Sequence, residues 1–391
     1  MTPAARVAAA IDVLDAIIAG AAAERTLIQW ARGNRYAGSG DRAAIRDHVF
    51  DALRRLRSFA ALGGGAMTGR AVMIGALRHA GLDPARLFDG QGHAPAPLTA
   101  PELAVPDLSD QPDALRLDMP DWLFERFVAG LGIATATAVT TALQDRAPVF
   151  LRVNLRKGTV VDALAVLAAD AIGAVPLYHI KTAVKVTDNA RKIKRSRAYA
   201  DGLVELQDAA SQAAVLRLPL RAGMRVLDYC SGGGGKALAV AALHDGEVVV
   251  HDIDAGRMAD IPTRAKRAGV TLPALQTAAL AGAGGFDFVM VDAPCSGSGT
   301  WRRVPDAKWR LTPKDLAQFC RLQAEVLDAA QGLVRRGGIL AYMTCSVLNE
   351  ENGAAITSFL ARNPGFSRGE SWQWLPGADG DGFYLATLCR G

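Results

Sequence analysis

Two short runs constrain what this 391-residue chain can fold into. Phe286 to Val291 (FDFVMV) and Gly338 to Thr344 (GILAYMT) are apolar and of strand length, and small, turn-forming residues follow the first. One buried strand therefore ends at Asp292, and a second delivers Cys345. In an open α/β sheet, ligands bind beyond the carboxyl ends of the strands. A strand-end carboxylate, Asp292, and two cysteines, Cys295 and Cys345, thus have one cleft to share. A free cysteine is ordinarily a small buried hydrophobe, and Cys230, Cys320 and Cys389 are expected to be that. Cys295 and Cys345, in polar strand-end loops, suit a reacting thiolate.

A second group of chemically informative residues lies upstream. Arg225 to Tyr229 (RVLDY) reads as a strand running into Cys230-Ser231-Gly232-Gly233-Gly234-Gly235-Lys236 and then a helix. Glycines permit close backbone approach, and the helix start offers unpaired N–H groups, so the turn can wrap a charged small molecule. Asp252 follows Gly232 by twenty residues at the end of EVVVH, where an acid would bind ribose hydroxyls. A dinucleotide fits these features as well as S-adenosylmethionine does. A phosphate-binding P-loop is excluded, because Cys230 stands where glycine is needed and Ala237 where Ser or Thr is.

The N-terminal part reads differently. From Pro3 to Ala22, apolar residues recur at helical spacing. A second stripe, Ile45, Val49, Phe50, Leu53 and Leu56, has Arg42, Arg46, Arg54, Arg55 and Arg57 on its other face, a solvated surface or an RNA-facing one. Prolines crowd residues 89–117. Beyond a short helix, Val149 to Asn154 (VFLRVN), Thr159 to Ala171 and Ala183 to Val186 read as strand, helix and strand. Five of the seven residues from Arg191 to Arg197 are basic: Arg191, Lys192, Lys194, Arg195 and Arg197. Their position before the catalytic half favours phosphate contact. Trp301 and Trp309, interleaved with Arg302, Arg303, Lys308 and Arg310, suit either the lip of a base-binding cleft or core anchors.

Several motifs together resemble the RNA cytosine-5 methyltransferases of the Nol/Nop/Sun family and its bacterial rRNA members. They are Asp292-Ala293-Pro294-Cys295-Ser296-Gly297, Thr344-Cys345-Ser346, and DYCSGGGGK beside the family's DLCAAPGGK. GDRAAIRDHVFDALRR is similar to the antiterminator-like (NusB-like) helical domain of the bacterial members, and FLRVN to their small RNA-contacting domain. The resemblance implies a helical domain over 1–88, a linker over 89–117 and a small α+β RNA-binding domain over 118–220. A Rossmann-like S-adenosylmethionine-dependent methyltransferase sheet would follow over 221–391, the whole being an α/β protein.

It implies that Cys345 attacks carbon 6 of a cytosine, making carbon 5 nucleophilic enough to take a methyl group. Cys295 would assist breakdown of the adduct, and Asp292 would contact the base beside the cofactor, with Lys236 in the same catalytic set. Residues 230–236, Asp252 and Asp292 would hold S-adenosylmethionine. Arg152, Asn154, the basic run, Arg302 and Arg303 would meet RNA, ribosomal first and transfer RNA next. Two departures stand out: Gly233 replaces the family's proline, which should loosen the loop, and TLPALQTAALAGAGG lacks the acid expected near the adenine, leaving backbone groups or Thr277. A non-catalytic RNA-binding or ribosome-assembly factor and a nicotinamide-dependent oxidoreductase are the competing readings.

Composition is compatible with a polyanionic partner. The net charge is +5, and 50% hydrophobic with 21% charged residues suffices for two or three cores. No stretch has the length of a membrane span or the pattern of a signal peptide. Five cysteines without a CxxC pair argue against a disulfide framework or a zinc site, so no metal and a cytoplasmic setting are expected.

Overall fold

Thr2 starts the first helix, Pro3–Ile18, by accepting a hydrogen bond from the Ala5 N–H at 3.1 Å, with Pro3 at a position where no N–H is needed. This is a computed structural model describing residues 1–391. The second amphipathic stripe is two helices, Ser39–Arg54 and Leu56–Leu62, because Arg55 leaves helical geometry at φ −124°, ψ 38°. The latter helix lies so close to helix Gly69–His79 that a Cβ at Gly75 would fall 1.9 Å from the Phe59 carbonyl oxygen. Val7, Leu14, Ile45, Leu53, Phe59 and Ile74 form the core of this region.

The chain divides into two compact units, Met1–Arg146 with Trp301–Leu311, and Ala147–Thr300 with Thr312–Gly391. That partition cuts across the expected domain of 118–220 and removes Trp301–Leu311 from the catalytic part. The excursion is a core element of the first unit. Trp301 is 2% exposed and stacks on Phe127, and the Trp309 Nε1–H donates to the Leu53 carbonyl at 2.7 Å. Of the arginine face, Arg46 pairs with Glu24, Arg54 donates to the Arg302 carbonyl, Arg55 pairs with Asp145 and Arg57 with Asp121. Four of the five guanidinium groups therefore have partners within the fold.

The second unit holds two sheets. β1 (Val149–Val153), β2 (Ala174–Pro176), β3 (Ala183–Val186) and β4 (Val204–Leu206) form an antiparallel sheet in the order β2-β3-β1-β4. β5 (Val226–Asp228), β6 (Val248–Val250), β7 (Phe286–Asp292), β8 (Val334–Thr344), β9 (Phe366–Trp374) and β10 (Phe383–Arg390) form the larger sheet, ordered β6-β5-β7-β8-β10-β9. β6, β5, β7 and β8 run parallel, and β8-β10-β9 is antiparallel. This is the expected Rossmann-like sheet, closed by an antiparallel hairpin.

Apolar runs replace strict alternation in β7 because both faces are covered. Phe288 and Met290 join the core containing Val226 and Val240, while Val289 and Val291 join the one containing Leu227 and Phe359. Each such side chain, fully buried, contributes roughly 1.5–3 kcal/mol, which holds β7 central. No helix is long and apolar enough to cross a membrane.

Candidate active site

β7 and β8 are hydrogen-bonded neighbours with Asp292 opposite Met343, so the residues that follow each strand emerge together. Two backbone bonds keep them together: the Ala293 N–H donates to Met343 and the Gly299 N–H to Cys345, both at 2.9 Å. Gly299 also packs closely on Gly382, since a Cβ on Gly299 would lie 2.6 Å from the Gly382 Cα. The sulfurs of Cys295 and Cys345 are consequently 3.4 Å apart.

Charge distinguishes the two thiols. The hydrogen bond from Cys295, helped by the Lys236 ammonium, holds Cys345 below the usual thiol range against burial and the Asp292 carboxylate. Cys295, as the donor, and buried with Glu351 nearby, lies well above it. Lys236 Nζ lies 2.6 Å from Asp292 Oδ2 and 4.9 Å from the centre of the Phe383 ring. Burial pulls the ammonium down, but its attraction to Asp292 outweighs that and raises it.

The glycine loop runs from the end of β5 to helix Gly235–Leu243. Gly234 is left-handed at φ 76°, where a side chain would be strained and would meet Ile261 at 2.9 Å. The loop lines a cleft of about 310 Å³ with Asp228, Cys230, Ser231, Lys236 and Asp292. Both Asp228 carboxylate oxygens and the Ser231 hydroxyl are buried there without a well-formed hydrogen bond. Burial, then the charge of Asp292, pushes Asp228 up to about 7. Cys230 is pushed up strongly by burial and these carboxylates, so it stays a thiol.

Two arginines that sequence reasoning missed fasten the loop. Arg264 donates to the Gly233 carbonyl, so the glycine that replaces proline is tethered. Asp252 is 4% exposed, accepts the Gly232 N–H at 2.9 Å and pairs with Arg257 at 3.1 Å. The expected ribose carboxylate thus already carries a cation. Thr277 shares a hydrogen bond of 3.1 Å with His251, whose other ring nitrogen contacts the Tyr229 carbonyl. No local pattern marks Arg257 or Arg264 for these partners.

The expected RNA contacts separate into two groups. Arg191, Lys192, Lys194, Arg195 and Arg197 are exposed, on or just after the short turn Ala190–Arg195, with Arg197 also paired to Asp170. Arg152 and Asn154 are only 5% exposed, so they are corrected to structural roles. Arg152 donates to the Gly235 carbonyl at 2.9 Å, and Asn154 to the Ala268 carbonyl at 2.8 Å, joining β1 to the loop region. Arg302, 3% exposed, is likewise interior, and Arg303 is half-buried. Cys389 is exposed rather than buried, while Cys320 is half-buried and donates to the Glu350 carbonyl.

Cations and aromatics do meet elsewhere in the second unit. A cavity of about 700 Å³ is lined by Tyr178, Lys181, Arg217 and Trp374, with Asp379 at its edge. Tyr178 is 92% exposed, and the Trp374 ring lies 6.5 Å from that of Phe383, which faces Lys236. Trp374 thus links the cavity wall, through Phe383, to Lys236.

Residues 215–389 match the family model described as 16S rRNA methyltransferase RsmB/F, and residues 119–193 match the RsmF/B-like ferredoxin-like domain. Ribosomal RNA small subunit methyltransferase B of Salmonella arizonae is 35% identical over 288 residues, 69% of this chain and 66% of that protein. The Citrobacter koseri protein of the same name is 33% identical over 285 residues with the same coverage. The chain thus spans slightly less than two thirds of these curated relatives. Among solved structures, PH0851 covers 99% of both chains with a TM-score of 0.77 at 22% identity. NSun6 from Pyrococcus horikoshii, solved with SFG, covers 70% of this chain and 98% of its own with a TM-score of 0.62 at 16% identity. Those two likenesses are of fold.

Proposed function

The chain belongs to the RsmB/F family of 16S rRNA methyltransferases, and from that premise we propose that it methylates carbon 5 of a cytosine in ribosomal RNA. The methyl donor is S-adenosylmethionine and the nucleophile is Cys345. The observation that carries this reading is the pair of sulfurs 3.4 Å apart, with the Lys236–Asp292 ion pair beside Cys345.

The orphaned oxygens of Asp228 and Ser231 are what a site shaped for a polar ligand leaves behind when built from protein alone. With the backbone of Gly232 to Gly235, Cys230, Lys236 and Asp292, they fit S-adenosylmethionine. Asp252 would take the ribose once Arg257 withdraws. S-adenosylmethionine, when bound, supplies an electrophilic methyl group.

The protein's part follows from its charges. Cys345, the more acidic thiol, adds to carbon 6 and pushes electrons toward N3. Asp292 would contact the base beside N3, and the Lys236 ammonium bonded to it would supply the positive charge that meets the developing negative charge there. Carbon 5 then takes the methyl group. Forming the S–C bond removes the negative charge from Cys345, and with it the interaction that kept Cys295 protonated. Cys295 can now give up its proton to solvent and, as thiolate, take the carbon 5 proton; the C–H electron pair re-forms the C5–C6 double bond and Cys345 leaves as the thiolate.

RNA as substrate is supported by the exposed cations of residues 191–197 and by the cavity of Tyr178, Lys181, Arg217 and Trp374, where flanking nucleotides can stack and place phosphates. Incubation with methyl-labelled S-adenosylmethionine and small-subunit rRNA, followed by bisulfite mapping, tests the reading. Label at carbon 5 of a cytosine is expected. Transfer to a base nitrogen, or none, sinks it.

A further inference from the structure

Glu351 lies beneath both cysteine loops and has no solvent exposure. Its Oε1 accepts the Ser296 N–H at 2.8 Å and the Gln323 side-chain amide at 3.0 Å. Its Oε2 accepts the Ser296 and Ser346 hydroxyls, each at 2.5 Å. Ser296 follows Cys295 and Ser346 follows Cys345, so one carboxylate grips the residue after each sulfur.

The residues before the sulfurs are held by the same group of side chains. Gln323 also donates to the Pro294 carbonyl at 3.0 Å, just ahead of Cys295. Asn352, next to Glu351, accepts from the Thr344 hydroxyl at 2.6 Å and donates to the Ser346 carbonyl at 2.9 Å, so it brackets Cys345. Ser298 contacts the Ser346 hydroxyl at 2.8 Å and accepts the Val347 N–H, tying one loop to the other. A buried carboxylate satisfied by four donors is costly to build and rigid once built. The two loops share it.

The grip is uneven. Both oxygens of Glu351 engage Ser296, and only one engages Ser346. The negative charge therefore sits tighter against the Cys295 loop, while the Lys236 ammonium serves the Cys345 side. We propose that Glu351 is a positioning residue that clamps both loops at sulfur contact distance and decides which cysteine is the thiolate, keeping Cys295 the hydrogen-bond donor and Cys345 the nucleophile. This rests on the assignment of Cys345 as nucleophile but not on the identity of the methylated atom.

Iodoacetamide alkylation of the full chain, mapped by mass spectrometry from pH 6 to 9, reads the thiolates without RNA or methyl donor. In the wild-type protein Cys345 should react about tenfold faster than Cys295. Glu351→Gln preserves shape and can still accept from the Ser296 N–H and Gln323, but removes the charge. Its preference should shrink to about threefold or less, because Cys295 gains reactivity at lower pH. Ser296→Ala, a milder change should Glu351→Gln not fold, should move the ratio in the same direction.

Methyl transfer by Glu351→Gln should lose kcat with KM for RNA within about twofold, as expected when only transition-state geometry is affected. An alkylation ratio unchanged in folded Glu351→Gln and in Ser296→Ala overturns the proposal. A shifted ratio in a protein that methylates RNA at an atom other than carbon 5 upholds it and discards the carbon 5 assignment above.

Discussion

Lys236 Nζ and Asp292 Oδ2 lie 2.6 Å apart, joining the helix that follows the glycine loop to the end of β7. The ammonium also opposes the charge of Asp228 and favours ionised Cys345. On the proposed reading, one cation would serve the cofactor cleft, the base contact and the nucleophile. Lys236→Met should slow alkylation of Cys345 at pH 7 and lower methyl-transfer kcat/KM by roughly 100-fold, in the range of losing an aligned charged group. Unchanged alkylation would show that the thiolate is stabilised elsewhere.

Cys345→Ala should abolish transfer, since it removes the assigned nucleophile and leaves only Cys295, whose thiol is held well above the usual range. Cys295→Ala should let a covalent protein–RNA adduct accumulate, visible as a slowly migrating band in denaturing gels. If the adduct appears with Cys345→Ala instead, the roles are reversed.

Asp228 links the cleft to pH. Its folded value is about 7 against an ordinary 3.8, so the folded state holds its proton more tightly than the unfolded chain. Stability from this group is full below about pH 4 and is lost as pH rises to about 7, by an amount on the order of a few kcal/mol. Asp228→Asn should remove that decline in melting temperature for the ligand-free protein. It should also weaken S-adenosylmethionine binding by calorimetry.

Replacing Arg191, Lys192, Lys194 and Arg195 with Ala should weaken RNA binding and reduce the salt slope by roughly 3, at about 0.7 per phosphate contact. Tyr178→Ala should weaken binding with little change in that slope, because stacking releases no counterions. Arg152→Ala should instead lower the melting temperature, since its partners are Gln207 and the Gly235 carbonyl. Anisotropy titrations at several salt concentrations separate these cases.

Local pattern carried much of this protein. β7 and β8 were legible because a strand buried on both faces must be apolar throughout, and Asp292, Cys295 and Cys345 because reactive groups gather where such strands end. The exposed basic turn was legible too, since Arg191 to Arg197 has almost no apolar residue to bury. Tertiary structure decided the direction of everything whose partner is remote. Arg152 and Arg191 are the same side chain in sequence, yet one is buried against the Gly235 carbonyl and the other is exposed. Trp301–Leu311 follows the Cys295 loop in the chain but belongs to the core of the other unit. Glu350 and Glu351 are adjacent acids, of which only the second meets Ser296, Ser346 and Gln323. Periodicity reports which face of an element is buried and not what covers it, because hydrophobic burial has no direction and a hydrogen bond needs its partner within about 3 Å.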